Sequence, residues 1–276
     1  MLLEGIALKV VSPTLEHTLT RDNVKRDERF ARALAAAKKL AEGALLEQLP
    51  AELEKAAARP DGEVDFRVLF QFAVKRLPRK LLWLRAPGGG ALRAADVRGE
   101  LVVSPRRTPI SQRLVATGVA VLEAHPAEGF ALAAAQALGL KTLRSADEHF
   151  TYAEPATVKV PAGFAAALAE LLAGASCPVE TVALAPVRGA AEKEPWVFIE
   201  ALGRPLPVAL ASRRLERKRK HPVLCLNAAH PSVEGAVPLM KRAPRLSALL
   251  WARQLLVRHA LLDEKTDAFL TSWALS

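Results

Sequence analysis

The sequence has few of the residues that build disulfide frameworks, metal centres and aromatic surfaces. Of its 276 residues only two are cysteines, 5% are aromatic and a single one is tyrosine. Cys177 and Cys225 are too few and too far apart for a disulfide framework, and no Cys-x-x-Cys or Cys/His cluster has the spacing of zinc ligands. The chain has no uncharged run of 18 apolar residues and no N-terminal signal pattern. These absences favour a protein of the reducing cytoplasm without a membrane partner.

Catalytic patterns are also missing. The six histidines are scattered, and no serine lies in a G-x-S-x-G elbow. The three glycines at 88–90 invite comparison with a phosphate-binding loop, but the lysine and Ser/Thr of a Walker motif do not follow, and no G-x-G-x-x-G is present. A flexible turn is the better interpretation of this stretch. The residues therefore offer no support for a stand-alone enzyme.

What the chain has in quantity is hydrophobic and positively charged residues. It is 51% hydrophobic, which is ample for a buried core, and its formal net charge is +10. A basic balance permits binding to nucleic acids. The densest basic run, residues 213–220, has no interleaved aromatics that would stack on bases, so a solvated helix face or loop is the favoured interpretation. Nucleic-acid binding is kept as the alternative function.

The apolar periodicity near the N-terminus predicts a strand followed by a long helix. An apolar run at 5–11 reads as the strand. A helix stripe at three- and four-residue steps then runs to about residue 49; its members are Phe30, Leu34, Ala37, Ala41 and Leu45. Thr20, Asp22 and Asn23 are possible N-caps. Arg21 therefore lies at a strand-to-helix junction that can meet a phosphate, or else it is an ordinary surface arginine.

The middle of the chain alternates between strand and helix patterns. We predict a helix at 64–77, strands at 101–103, 119–122 and 140–143, and helices at 110–117 and 130–138. Short links between such elements imply a parallel sheet with right-handed crossovers. A domain boundary is predicted near 154, and beyond it come a helix at 164–172 and strands at 179–184 and 196–199.

The last helices are apolar on more than one side. In the helix predicted at 246–262, Leu249, Leu250, Leu256, Val257 and Leu261 lie on one side and Trp251 and Leu255 on the other. A helix that is apolar nearly all round needs cover on nearly all sides. A final helix, capped by Thr266 or Asp267, is too short to stand alone. A second copy would cover the face with Trp251 and Leu255; alternatively, that face packs inside its own domain.

Three stretches resemble the ninety-kilodalton heat-shock chaperones, of which bacterial high-temperature protein G is one. Residues 5–22 resemble the strand and arginine motif that lead into a long helix of the family's middle domain. Ser104-Pro105, the following helix and the strand after Gly118 resemble that domain's second lobe. The third stretch matches the family's C-terminal L-E-I-N-P-x-H-P-L-V motif at Leu224, Leu226, Asn227, His230, Pro231 and Val233. By itself, Asn-x-x-His-Pro is more typical of a turn with capping side chains.

This resemblance implies both an architecture and a function. The fold class would be α/β (α+β): a partial middle domain at 1–153, followed by a C-terminal dimerisation domain at 154–276 that ends in a helical bundle. Within the first domain, residues 1–58 would end the large lobe with its long helix, and residues 59–153 would form a small parallel α/β/α lobe. The implied role is that of an ATP-dependent chaperone that binds partly folded client proteins.

The resemblance also implies site residues and cofactors. Arg21 matches the arginine that reaches the terminal phosphate of ATP on a separate domain, and Lys25 falls where some members have a glutamine. ATP and Mg would belong to the intact family member, because this chain lacks the nucleotide-binding motifs and should be inactive alone. A homodimer would form through the C-terminal helices; its expected contacts are Leu249, Trp251, Leu255, Leu256, Phe269, Leu270 and Trp273.

Overall fold

The computed structural model describes residues 26–140, 142–155, 158–211 and 215–275. The protein is a mixed α/β chain with parallel and antiparallel strand pairs and a helical C-terminal end, which confirms the predicted fold class. The strand predicted at 5–11, Arg21 and Lys25 lie outside the described residues.

The elements alternate along the chain. The helices are α1 (Glu28–Glu42), α2 (Ala44–Ala58), α3 (Glu63–Ala73), α4 (Pro109–Ala116), α5 (Gly129–Ala137), α6 (Ala146–His149), α7 (Ala162–Gly174), α8 (Val208–Ala211), α9 (Pro231–Arg242), α10 (Pro244–Arg258) and α11 (Glu264–Leu275). The strands are β1 (Trp83–Arg85), β2 (Ala91–Arg93), β3 (Leu101–Ser104), β4 (Val121–Glu123), β5 (Leu143–Ser145), β6 (Phe150–Ala153), β7 (Val179–Ala185), β8 (Val187–Gly189), β9 (Trp196–Ile199), β10 (Leu206–Pro207) and β11 (His221–Asn227).

The chain divides into two compact units. The first contains residues up to 101 together with 127–142, and the second contains 102–126 and 143–276. The first unit therefore holds α1, α2, α3, the β1–β2 hairpin and α5. The second holds the three larger sheets and the C-terminal helices.

In the first unit, the long N-terminal helix is divided at Gly43. Asp27 caps α1 by accepting hydrogen bonds from the backbone N–H groups of Arg29 and Phe30, at 3.0 and 2.9 Å. The predicted break near residue 50 is wrong, because α2 runs through Pro50 and the chain bends instead at Gly43. A glycine lowers the cost of such a bend.

The side chain of Arg85 holds the end of α2. Arg85 is only 1% exposed, and its guanidinium donates to the carbonyls of Ala57, Arg59 and Pro60. Ala57 lies in the last turn of α2, whose carbonyls carry the negative end of the helix dipole, and Arg59 and Pro60 follow the helix directly, so a buried cation suits this site. The glycine-rich stretch after β1 is the β1–β2 turn, and the N–H of Gly90 donates to the carbonyl of Ala57.

The second unit begins with the predicted parallel sheet, in the order β4-β3-β5. Strands β3 and β4 pair in parallel. The N–H of Leu101, at the start of β3, donates to the carbonyl of Thr142, just before β5, so β3 and β5 begin at the same end of the sheet. Thr108 and Ser111 form a capping box at the start of α4.

A second sheet crosses the predicted domain boundary. Strand β6 pairs antiparallel with both β8 and β10, giving the order β10-β6-β8. Since β6 ends at Ala153 and its partners follow residue 154, the boundary predicted there falls inside one sheet rather than between two compact units.

The third sheet carries the largest core. Strand β11 is central, parallel to β7 and antiparallel to β9. One face of this sheet packs with α7 and α10 in a continuous apolar cluster that contains Phe164, Leu168, Trp196, Leu226 and Leu255. This core positions the C-terminal helices described next.

Candidate protein interface

The inner face of α10 belongs to the core of the second unit. Trp251 is 5% exposed, and Leu255 and Leu256 are fully buried. The ring of Trp251 lies edge-on to that of Trp196 on β9, with centroids 5.9 Å apart. Edge-to-face aromatic pairs add to the stabilisation from burial. This face is therefore occupied by the chain itself.

The outer face of α10 presents an apolar stripe to solvent. Leu246, Leu250 and Val257 are 51%, 51% and 61% exposed. They are four and seven residues apart, so they lie on nearly one line along the helix. Arg253 completes the four-three-four spacing, and its charge is paired with Asp267 at 2.6 Å. We call Leu246, Leu250 and Val257 the α10 stripe.

These positions correct the predicted dimer contacts. Trp251, Leu255, Leu256 and Leu270 are buried within the single chain and have no surface to offer a partner; Leu249, Phe269 and Trp273 are half-buried. The prediction grouped Leu250 and Val257 with Leu256, although Leu256 is fully buried and the other two are exposed, because both sides of α10 are apolar and periodicity does not distinguish them. The useful signal was Arg253, since a long charged side chain marks the side that reaches water.

The Asn227 and His230 motif has a structural role. The buried side chain of Asn227 accepts hydrogen bonds from the N–H groups of Val187 and Ala229, and donates to the carbonyls of Glu192 and Glu194. His230 caps α9 through its ring nitrogen, which accepts from the N–H of Ser232 at 3.2 Å. This is the turn with capping side chains, and it fixes the start of α9 against β11.

The described part of the basic run is largely neutralised by local carboxylates. Arg217 pairs with Asp263, Arg219 with Glu216, and Lys220 with Glu180. Paired cations contribute less to a phosphate-binding field than free ones.

Between residues 26 and 275, within the ranges the structure describes, no group of three His, Cys, Asp or Glu could hold a metal ion. No helix in those ranges is long and apolar enough to cross a bilayer. The predicted phosphate contacts Arg21 and Lys25 fall outside them.

No protein-family model matches the chain, and no curated protein matches it significantly.

Proposed function

We propose that this chain is the C-terminal part of a chaperone of the ninety-kilodalton heat-shock type, which dimerises through α10 and binds partly folded proteins. The proposal rests on the resemblance at 5–22, 100–123 and 223–233. The structural observation that carries it is the exposed α10 stripe near the end of the chain. The free buried thiols of Cys177 and Cys225 suit a cytoplasmic location.

A second copy is the partner that this stripe fits best. Leu246 and Val257 are about 17 Å apart along the helix, and Leu250 lies between them. In two antiparallel stripes related by a two-fold axis, Leu246 of each copy faces Val257 of its partner, and Leu250 faces Arg253. Arg253 adds little repulsion at the axis because Asp267 neutralises it.

Solution mass tests the dimer directly. At micromolar concentration, light scattering should give twice the chain mass of 29.7 kDa. Leu250→Glu should give a monomer, because it puts a carboxylate into the apolar contact of each copy, where Arg253 is already paired with Asp267. Leu239→Glu is the matched control, since Leu239 is also exposed but lies on α9. A monomeric wild-type chain, or a dimer that Leu250→Glu leaves intact, contradicts the assignment.

Nucleotide binding tests the family assignment. The chain alone should not bind ATP with Mg at micromolar affinity, since it carries no nucleotide pocket motif. When a nucleotide domain is supplied, Arg21→Ala should lower turnover more than ATP affinity, because a group that arrives from another domain acts mainly in the reacting state. Calorimetric titration and steady-state hydrolysis measure the two quantities; equal turnover in variant and wild type removes Arg21 from the mechanism.

Chaperone activity tests the client proposal. An equimolar amount of the chain should reduce the aggregation of a chemically unfolded enzyme diluted into buffer, followed by turbidity. Because apolar contacts are insensitive to screening, the protection should persist at high salt, whereas binding to a nucleic acid would weaken steeply. Salt-sensitive binding of a labelled oligonucleotide without protection would favour the alternative function.

A further inference from the structure

The C-terminal helix α11 lies in an apolar groove formed by α7 and α10. Leu270 is fully buried there, and Phe269 and Trp273 are half-buried. The ring of Phe269 lies so close to Gly174 that a Cβ at that glycine would be 2.1 Å from Cζ of the ring. The groove therefore has a defined place for an aliphatic side chain and for an aromatic ring.

Three arginines outside α11 contact it near its start, its middle and its end. At its start, Arg217 donates to the carboxylate of Asp263 at 2.5 Å. In its middle, Arg253 donates to Asp267 at 2.6 Å and to Thr271 at 3.1 Å.

At the end of α11, Arg245 donates to the carbonyl of Trp273 at 3.1 Å and lies over its ring, 4.3 Å from the centroid. The indole N–H donates to the carboxylate of Glu170 on α7 at 2.9 Å. The groove thus combines apolar contacts with arginines that bind the carboxylates of Asp263 and Asp267 and the carbonyl of Trp273.

This attachment is separable from the rest of the core. Of the residues in α11, Thr266 and Leu270 are buried and most others are exposed. A helix of 12 residues has little stability by itself, and exposed ion pairs contribute little individually. Because α11 follows the last strand, its departure would leave every described sheet intact.

We propose that the groove of α7 and α10, with Arg217, Arg245 and Arg253, is a binding site for an acidic amphipathic helix. The chain's own α11 closes this site, and α11 of a second copy fills it when the resident helix leaves. The site does not depend on the chaperone proposal or on the α10 stripe.

A synthetic peptide in trans provides the test. A fluorescein-labelled peptide of residues 262–276 is titrated with full-length chains, and its anisotropy is recorded. The chain with Asp267→Asn keeps the groove but loosens its own helix, so it should bind the peptide about three- to five-fold more tightly than wild type. Adding Arg253→Gln to the Asp267→Asn chain should return the peptide affinity to the wild-type value or below. Glu200→Gln, which breaks a distant surface pair with Arg204, is the control and should match wild type.

Two further peptide-binding experiments and a hydrogen-exchange measurement test whether the site recognises the sequence of α11. A peptide of the same composition in scrambled order should bind at least about five-fold more weakly, and Leu250→Glu in the chain should not change peptide binding. Hydrogen exchange in residues 264–275 should be about three- to five-fold faster with Asp267→Asn, while α10 stays unchanged. Equal peptide affinity for all chains, equal binding of the scrambled peptide, or exchange of α11 only through global unfolding would each overturn the proposal.

Discussion

The indole rings of Trp196 and Trp251 meet edge to face, with centroids 5.9 Å apart and planes at 83°. This contact joins β9 to α10 inside the single chain. Trp251→Ala should therefore lower the free energy of unfolding by about 3–5 kcal/mol, through lost burial and the cavity left behind. Leu250→Ala, on the exposed side of the same helix, should cost about 1 kcal/mol or less.

Urea unfolding at several protein concentrations measures both variants and separates folding from association. If Leu250→Ala were the more destabilising change at every concentration, the assignment of inner and outer faces would be reversed.

Asn227 should be intolerant of both shortening and charge. Asn227→Ala leaves the buried N–H of Val187 without its partner, which should cost about 2–3 kcal/mol. Asn227→Asp keeps the acceptor but turns a carboxylate oxygen toward the carbonyls of Glu192 and Glu194, and should cost more at neutral pH. Chemical unfolding of the two variants checks the order, and equal stability of Asn227→Asp and wild type would contradict the hydrogen-bond assignment.

Arg85 should be required for the first unit to fold stably. Arg85→Met keeps much of the side-chain volume but removes the guanidinium that donates to the carbonyls of Ala57, Arg59 and Pro60. The expected loss is about 3 kcal/mol, because hydrogen bonds to charged groups are the stronger ones. Arg98→Met, at an exposed position, is the matched control and should change stability by less than about 0.5 kcal/mol. Similar thermal midpoints for the two variants would refute the role of Arg85.

His221 should make stability fall in mild acid. Burial, aided by Arg219, lowers the pKa of His221 from its ordinary value of 6.5. Its ring nitrogen accepts from the N–H of Glu216 and its ring packs on Phe198 at 4.8 Å, so a proton there is unfavourable in the folded chain. The unfolded chain binds that proton more readily. The stabilisation is therefore complete above about pH 6.5 and decreases as the pH falls below it.

The titration of His221 should change the free energy of unfolding by at most about 1.4 kcal/mol per pH unit. His221→Phe removes the titration and should flatten the free energy of unfolding between pH 6.5 and 5. An unchanged slope would assign the acid sensitivity to other residues.

The sequence pattern predicted several elements close to their observed places but did not predict the β1–β2 hairpin or any strand of the β10-β6-β8 sheet. Strands β3 and β9 and helices α4 and α7 lie close to their predicted positions, because short apolar runs bounded by Gly and Pro mark them locally. The pattern did not predict the bend at Gly43, because proline breaks helices more strongly than glycine. In the folded chain, α2 nevertheless continues through Pro50, and the flanking Leu49 and Leu53 are buried. The roles of Arg85 and Asn227 depend on groups 25–40 residues away, which no local pattern contains.

The pairing of β6 has a consequence for synthesis of the chain on the ribosome. Its partners β8 and β10 follow much later in the sequence, and β7 likewise awaits β11. At roughly 5–20 residues per second, the nascent β6 waits several seconds with unpaired backbone edges. Slowing translation between residues 153 and 227 should prolong that interval, so the yield of folded protein should depend on codon choice there and on factors that shield emerging strands.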